Sequence, residues 1–334
     1  MAYSPTVVRI ATTTSVFQSG LATRLNLAFG LFQAGLNPPL TPPYTLTWAA
    51  LGSGAAMDAA KAGDADLVIS HDRYGELDFL NGVPHYALNR THWSYNYFVI
   101  VGRTGGPIPV GTLQSCFNAI VNAAGTSPKP PVAQSNALYF VSRGSTGRSG
   151  TWIREQQIWM KLSIALPGPG NVLSPPYPNP PVPPQPNLGM YATLEATAIL
   201  ASTGVNAYTM TDIGTWYEFQ INSSNLAANL TMLTSPNDQP PPTNPPAYPA
   251  RDPWASNQYV AMMVNQAALA SGTQINTPGA MAFLAWLLTT QGANNAKDIV
   301  NGIIGGNRGF YYNADENEHF PDDSSLLKPV PPLS

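Results

Sequence analysis

Val141-Ser142-Arg143-Gly144-Ser145-Thr146-Gly147-Arg148-Ser149-Gly150-Thr151 joins an apolar strand-like run, Ala137 to Val141, to a helical pattern that starts near Trp152. Glycines, hydroxyls and two arginines therefore stand where an extended segment becomes a helix. Such a junction directs backbone N–H groups and hydroxyls at one point, at the positive end of the helix dipole, and suits a small anion. Two further junctions carry the same chemistry. Val7 to Ala11, apolar apart from Arg9, reads as a buried strand; Thr12-Thr13-Thr14-Ser15 follows, and Ser19-Gly20 opens a helix with Leu21, Leu25, Ala28, Phe29 and Phe32 on one face. Leu51-Gly52-Ser53-Gly54 separates the strand Thr45 to Trp48 from the helix Ala55 to Lys61. Three hydroxyl-rich turns at the carboxyl ends of strands predict one binding site of the kind that open α/β sheets build. A hydroxyl before a helix is also an ordinary N-cap, worth ~1 kcal/mol without any functional role. Four consecutive hydroxyls at Thr12 to Ser15, and an arginine on each side of Gly144, exceed what capping needs.

Composition narrows the classes. A chain of 334 residues is long for one core, so two lobes are expected. Charged residues are only 10%, against a usual ~25%, so Asn, Gln, Ser, Thr and Pro must cover much of the surface. The net charge of −3 gives no basic footprint for nucleic acid. No run of about 18 apolar residues is present, so no membrane span is expected. The single cysteine, Cys116, excludes an intramolecular disulfide and reads as a buried small apolar group in the helix Leu113 to Val121. Four scattered histidines form no Cys/His metal cluster, so no metal is expected by direct coordination. No N-terminal signal segment is seen, and Met1-Ala2-Tyr3-Ser4-Pro5 reads as the start of a mature chain with an added Met. Sequons at Asn89, Asn222 and Asn229 are candidate glycosylation sites and lean toward a secreted or extracellular protein.

Strand-like and helix-like segments alternate through the first 160 or so residues, which predicts α/β architecture. Asp66 to Ser70, Tyr95 to Val101 and Ala137 to Val141 read as strands. Leu113 to Asn122, and the pattern marked by Trp152, Gln156, Trp159, Met160 and Ser163, read as helices. Pro167 to Pro186 holds 10 prolines in 20 residues and Pro236 to Pro253 holds 8 in 18. Neither can be helix or central strand, and both read as extended surface insertions. Gly189 to Thr203 reads as helix, Asn206 to Met210 as strand, Thr211 to Gly214 as turn and Gln258 to Val264 as strand. Pro278 starts a helix in which Met281, Phe283, Leu284, Trp286, Leu287 and Leu288 are expected to be largely buried, and Asn295 to Ile304 reads as a further helix.

A set of segments in fixed order carries a resemblance. They are Arg9 to Ser15 with Ser19-Gly20-Leu21, Leu51 to Ala56, Ala62 to His71, Tyr95 to Gly102, Phe140 to Gly144 with Ser149-Gly150-Thr151, and Ala207 to Thr215. Together they resemble the tungstate-binding proteins of bacterial ABC importers, a branch of the type II periplasmic-binding-protein superfamily. Here the chain would be a divergent member, and the sequons point to a eukaryotic secreted one. The resemblance implies two α/β lobes with a ligand cleft between them. Lobe one would hold 1–97 plus 258–334 and lobe two 98–257, with Tyr95 to Val101 leaving and Gln258 to Val264 returning. It implies oxyanion contacts at Thr13, Thr14, Ser15, Ser53, Arg143, Ser149, Gly150 and Thr151. The ligand would be tungstate or molybdate, without cofactor, and the protein a monomer delivering to an ABC permease if bacterial, in the periplasm. The loop departs from the pattern in Gly144 to Arg148, where relatives carry acidic residues and a His. The extra Arg148 would raise anion affinity, and Asp72 would oppose it.

Three other readings stand beside this one. A binder could take phosphate, sulfate or a small organic acid without any transport role. An extracellular scavenger could keep the fold without a transporter. An enzyme would need Ser149 or Ser15 as nucleophile beside a base, His71 or His92. Adjacent strand residues point to opposite faces, so Asp72 is not expected to orient His71, and the site is read as non-catalytic.

Overall fold

The structure is a computed structural model and describes residues 3–124, 138–144, 148–164, 172–173, 189–234, 254–290, 294–304 and 311–312. Along the chain come β1 (Val7–Thr13), α1 (Thr14–Gln18), α2 (Leu21–Ala34), β2 (Thr45–Leu51), α3 (Ser53–Lys61), β3 (Leu67–Ser70), α4 (Arg73–Asn81) and β4 (Thr91–Arg103). Next are α5 (Leu113–Ala124), β5 (Leu138–Val141), α6 (Gly150–Lys161), β6 (Val172–Leu173), α7 (Met190–Ser202), β7 (Asn206–Asp212), α8 (Ile213–Asn222), α9 (Ser224–Ala227) and β8 (Leu230–Met232). The chain closes with β9 (Ser256–Met263), α10 (Thr277–Leu287), α11 (Ala296–Ile304) and β10 (Tyr311–Tyr312). The architecture is the expected mixed α/β one. Both proline-dense stretches lie outside the described residues, apart from β6.

Two compact units divide the chain: Met1–Asn96 with Thr146–Gly150 and Gln258–Glu318, and Tyr97–Ser145 with Thr151–Asn257 and His319–Ser334. The chain thus passes between units within β4 and within β9.

In the first unit, β1 lies between β2 and β3 in parallel, and β9 runs antiparallel to β3. Both faces of this sheet are covered, as parallel sheets require. Val8, Ile10 and Ile69 face Leu25 and Phe29 of α2 and Phe283 and Trp286 of α10. Ala11, Val68 and Met262 face Ala56 and Met57 of α3 and Phe79 of α4. The aromatic seam is tight: the Phe29 ring meets Phe283 edge-on at 5.2 Å and Trp286 at 5.3 Å. Arg9, the one charge in β1, is 3% exposed and grips Asp66 through Nε at 3.1 Å and Nη2 at 2.6 Å.

In the second unit, β7 pairs in parallel with β5 and antiparallel with β4. Phe140 of β5 points toward α5 and α6, its ring 5.4 Å from Phe117 and 5.3 Å from Trp159. Its neighbours Tyr139 and Val141 face the other way, against Ala196 and Leu200 of α7. Cys116 is buried, as expected.

Several local expectations need correction. Met281 is 55% exposed, because the buried stripe of α10 runs through Ala280, Phe283, Leu284 and Leu287 and leaves Met281 beside it. Thr211 to Gly214 is not a free turn. Asp212 caps α8, accepting the Thr215 N–H at 3.0 Å and its hydroxyl at 2.7 Å. His71 and Asp72 both lie beyond the end of β3, and Asp72 directly precedes α4, so strand alternation does not govern their directions.

Candidate functional site

Strand register brings the first unit's candidate residues to one end of its sheet. Thr13 of β1 stands opposite Leu51 of β2, Thr12 opposite Ile69 of β3, and Ser70 opposite Val260 of β9. Thr14, Ser53, His71 and Tyr259 therefore follow or precede paired residues at that same end. This is where α/β sheets place ligands.

The hydroxyls there are not helix caps. Thr13 precedes α1 and Gly52 precedes α3, and neither helix start has a side-chain cap bond. Thr13 Oγ1 instead lies 2.9 Å from Ser15 Oγ, which lies 2.8 Å from Tyr259 Oη. Three hydroxyls joined by two mutual bonds retain one proton to donate elsewhere. Ser53 is fully buried, and among the described residues its Oγ makes no hydrogen bond; Thr12 Oγ1 is in the same state. Thr14 is half-buried.

The imidazole of His71 stacks on the Tyr259 ring at 5.0 Å, 5° from parallel. Gly150, first residue of α6, lies against that imidazole so closely that a Cβ would run into it. Ser149 and Gly150 are buried and belong to the first unit. Arg148 departs from its expected role. With φ +49 it turns its guanidinium onto the Gly54 carbonyl, at 2.8 Å, and the Asp58 carboxylate. That charge is already matched by a carboxylate on α3.

In the second unit Arg143 is 4% exposed and Thr151 also 4% exposed. The β5–β7 register sets the Ser142–Gly144 turn beside the segment that leads into Asp212 and α8. Ser142 Oγ accepts the Gly144 N–H at 3.1 Å and donates to Glu155 Oε2 at 2.8 Å. Burial raises the Glu155 carboxyl to about 7 against the hydrogen bonds it accepts.

Two of the residues proposed for catalysis, Ser15 and His92, are engaged with other groups. The Ser15 hydroxyl bonds to Thr13 and Tyr259 rather than to a histidine. His92 lies with Nε2 2.8 Å from Arg90 Nη1, and burial with the Arg90 and Arg73 charges lowers it to about 4. Arg90 also holds Glu76, whose carboxyl burial raises to about 7. No group of three or more His, Cys, Asp or Glu that could hold a metal is found among the described residues. No helix among them is long and apolar enough to cross a membrane.

Sequence reasoning missed Tyr259, His71 as its stacking partner, and Glu155. Tyr259 joins Ser15 across 244 residues of chain, which no local pattern signals. Of the sequons, Asn222 is exposed, while Asn89 and Asn229 are half-buried. The Asn229 amide donates to the Asn225 and Leu226 carbonyls.

The PBP superfamily domain matches residues 3–291. A tungstate-binding protein TupA of Peptoclostridium acidaminophilum is 25% identical over 280 residues, 84% of this chain and 77% of that protein. Two other curated relatives match over only 39% and 44% of their own lengths. Among solved structures, the tungstate-binding protein TupA from Desulfovibrio alaskensis G20 superposes with TM-score 0.60 at 24% identity, covering 92% of this chain and 99% of that one. The tungstate ABC transporter structure from Geobacter sulfurreducens gives 0.58 at 23% identity, covering 90% and 100%.

Proposed function

The chain belongs to the PBP superfamily, and on that premise we propose that it binds a tetrahedral oxyanion, tungstate or molybdate, as a solute-binding or scavenging protein and not an enzyme. One observation carries the reading: the Ser53 hydroxyl is fully buried at the head of α3 without a hydrogen bond among the described residues. Such a group costs ~1–3 kcal/mol when unsatisfied, and an oxyanion oxygen supplies the acceptor. Thr13, Thr14, Ser15, Ser53, Ser149 and Gly150 are assigned as donors from the first unit, Arg143 and Thr151 from the second. Arg143 contributes a compensating charge and a planar fork for two oxygens. The relatives named for tungstate favour that ion. Delivery to an ABC permease, as a monomer outside the inner membrane, completes the proposal.

A thermal-shift panel of tungstate, molybdate, sulfate and phosphate tests it. A ligand at ~100 times its Kd adds ~2.7 kcal/mol to the stability of the native state. Equal, weak responses to all four would defeat the claim of selectivity. Ser53→Ala has an expected double effect. It weakens tungstate binding roughly five- to tenfold, the loss of a hydrogen bond of ~1 kcal/mol, and leaves the free protein as stable or slightly more so. Titration calorimetry and urea unfolding read the two effects separately.

A further inference from the structure

One buried acid in the second unit has no role in this scheme so far. Glu155, 1% exposed on α6, sits behind the turn that carries Arg143. Its Oε2 accepts the Ser142 hydroxyl at 2.8 Å, and its Oε1 accepts Trp159 Nε1 and Gln156 Nε2, each at 3.2 Å. The Arg143 main-chain N–H reaches it too. Ser142 Oγ meanwhile accepts the Gly144 N–H at 3.1 Å. A hydroxyl has one proton and two acceptor sites. In this arrangement the Ser142 proton is committed to the carboxylate.

A proton on Glu155 Oε2 reverses that bond. Glu155 then donates to Ser142 Oγ, which still accepts from Gly144, and the hydroxyl proton of Ser142 turns outward from the carboxyl. The two Glu155 oxygens divide the work, since Oε1 keeps accepting from Trp159 and Gln156. We propose that oxyanion binding is proton-linked through Glu155: one proton from solvent is taken up on its carboxyl per anion bound, and Ser142 is thereby converted from a donor to Glu155 into a donor to the oxyanion. The proposal rests on the oxyanion reading above and deepens it. No covalent bond in the ligand changes; only the solvent proton and the direction of one hydrogen bond do.

Electrostatics favour the same outcome. An ionised carboxylate behind a dianion site opposes the ligand, the more so away from water. Burial already lifts Glu155 to about 7, with the bonds from Ser142, Trp159, the Arg143 N–H and Gln156 pulling it down; a neighbouring dianion lifts it further. Below that value the free protein already holds the proton and binding is at full strength. Above it the proton must be acquired, and affinity falls by up to about tenfold per pH unit. Other ionisable groups of the surrounding elements are Arg143 in the turn and Arg154 on α6. Arg154 donates to the Ser256 carbonyl at 3.1 Å and lies over the Phe98 ring. Tyr139 on β5 is raised by burial, Cys116 on α5 is buried, and Asp212 accepts from Thr215.

Titration calorimetry with sodium tungstate, run at about pH 6.5, 7.5 and 8.5 in two buffers of different ionisation enthalpy, tests the linkage. The wild-type protein is expected to bind up to about tenfold more weakly per unit above pH 7, with proton uptake approaching one per anion. Glu155→Gln donates its amide to Ser142 permanently, so it should bind with the low-pH affinity throughout and take up no proton. Ser142→Ala should lose affinity at low pH and flatten the profile. A Glu155→Gln protein that keeps the wild-type slope would show that Glu155 only braces the turn. Should that variant not fold, a wild-type proton count of zero equally overturns the linkage, and a Ser142→Ala slope equal to wild type overturns the part assigned to Ser142. Tungstate binding that is tight and independent of pH sinks this inference alone; no binding at any pH sinks the oxyanion reading with it.

Discussion

Arg143→Ala is expected to weaken tungstate binding by roughly a hundredfold or more while the protein stays folded. Truncating one partner of a buried, hydrogen-bonded charge pair costs about 2–5 kcal/mol, and each ~1.4 kcal/mol is tenfold in affinity. Arg143 lies just beyond the last residue of β5, so its side chain contributes to the turn and not to the Phe140 packing that holds the strand. Arg143→Lys keeps the charge but loses the two-pronged fork, and an intermediate loss is expected. Calorimetry gives the affinity, and circular dichroism confirms that secondary structure is retained. A loss of under about threefold, within the usual reach of an exposed charge, would remove Arg143 from the site.

Asp66→Ala should have the largest effect on stability of any substitution considered. Asp66 and Arg9 are 1% and 3% exposed. The carboxylate accepts the Arg9 main-chain N–H at 2.7 Å, its Nε and Nη2, and the Asn276 N–H at 2.8 Å. One side chain thus ties β1, the start of β3 and the head of α10. Removing it leaves a buried guanidinium beside the Gly63 and Gln274 carbonyls but without its carboxylate. Breaking a buried pair from one side costs about 3–5 kcal/mol, a large part of a total of about 5–15 kcal/mol. Urea unfolding followed by tryptophan fluorescence measures it. A change below about 1 kcal/mol would show that water reaches Arg9 and screens it, as at a surface pair.

The three strand-to-helix junctions were legible because each changes hydrophobic period at a cluster of Gly and hydroxyl residues. What those hydroxyls do was not legible. A Thr or Ser before a helix looks the same whether it caps or not, and only coordinates show that Thr13 makes no cap while Asp212 does. Helix α4 escaped notice because its buried face includes Glu76, a charged residue that interrupts any apolar stripe. Arg148 looked like an anion ligand because sequence shows the charge and hides its partner, Asp58, 90 residues away. Tyr259 and Glu155 meet Ser15 and Ser142 through tertiary pairing alone.

Asn89 shows how a side chain can act as a piece of main chain. Its Nδ2 donates to the Ala261 carbonyl at 3.2 Å and its Oδ1 accepts the Met263 N–H at 2.9 Å, while Leu88 N–H donates to the Met263 carbonyl. The carboxamide occupies the position that a peptide group of a neighbouring strand would take, and Thr91 Oγ1 receives its second proton at 2.6 Å. Both amide hydrogens are therefore engaged, and a sugar attached to this nitrogen would displace one of them. Any glycan here would have to be installed on the nascent chain before β9 docks, at the expense of that docking.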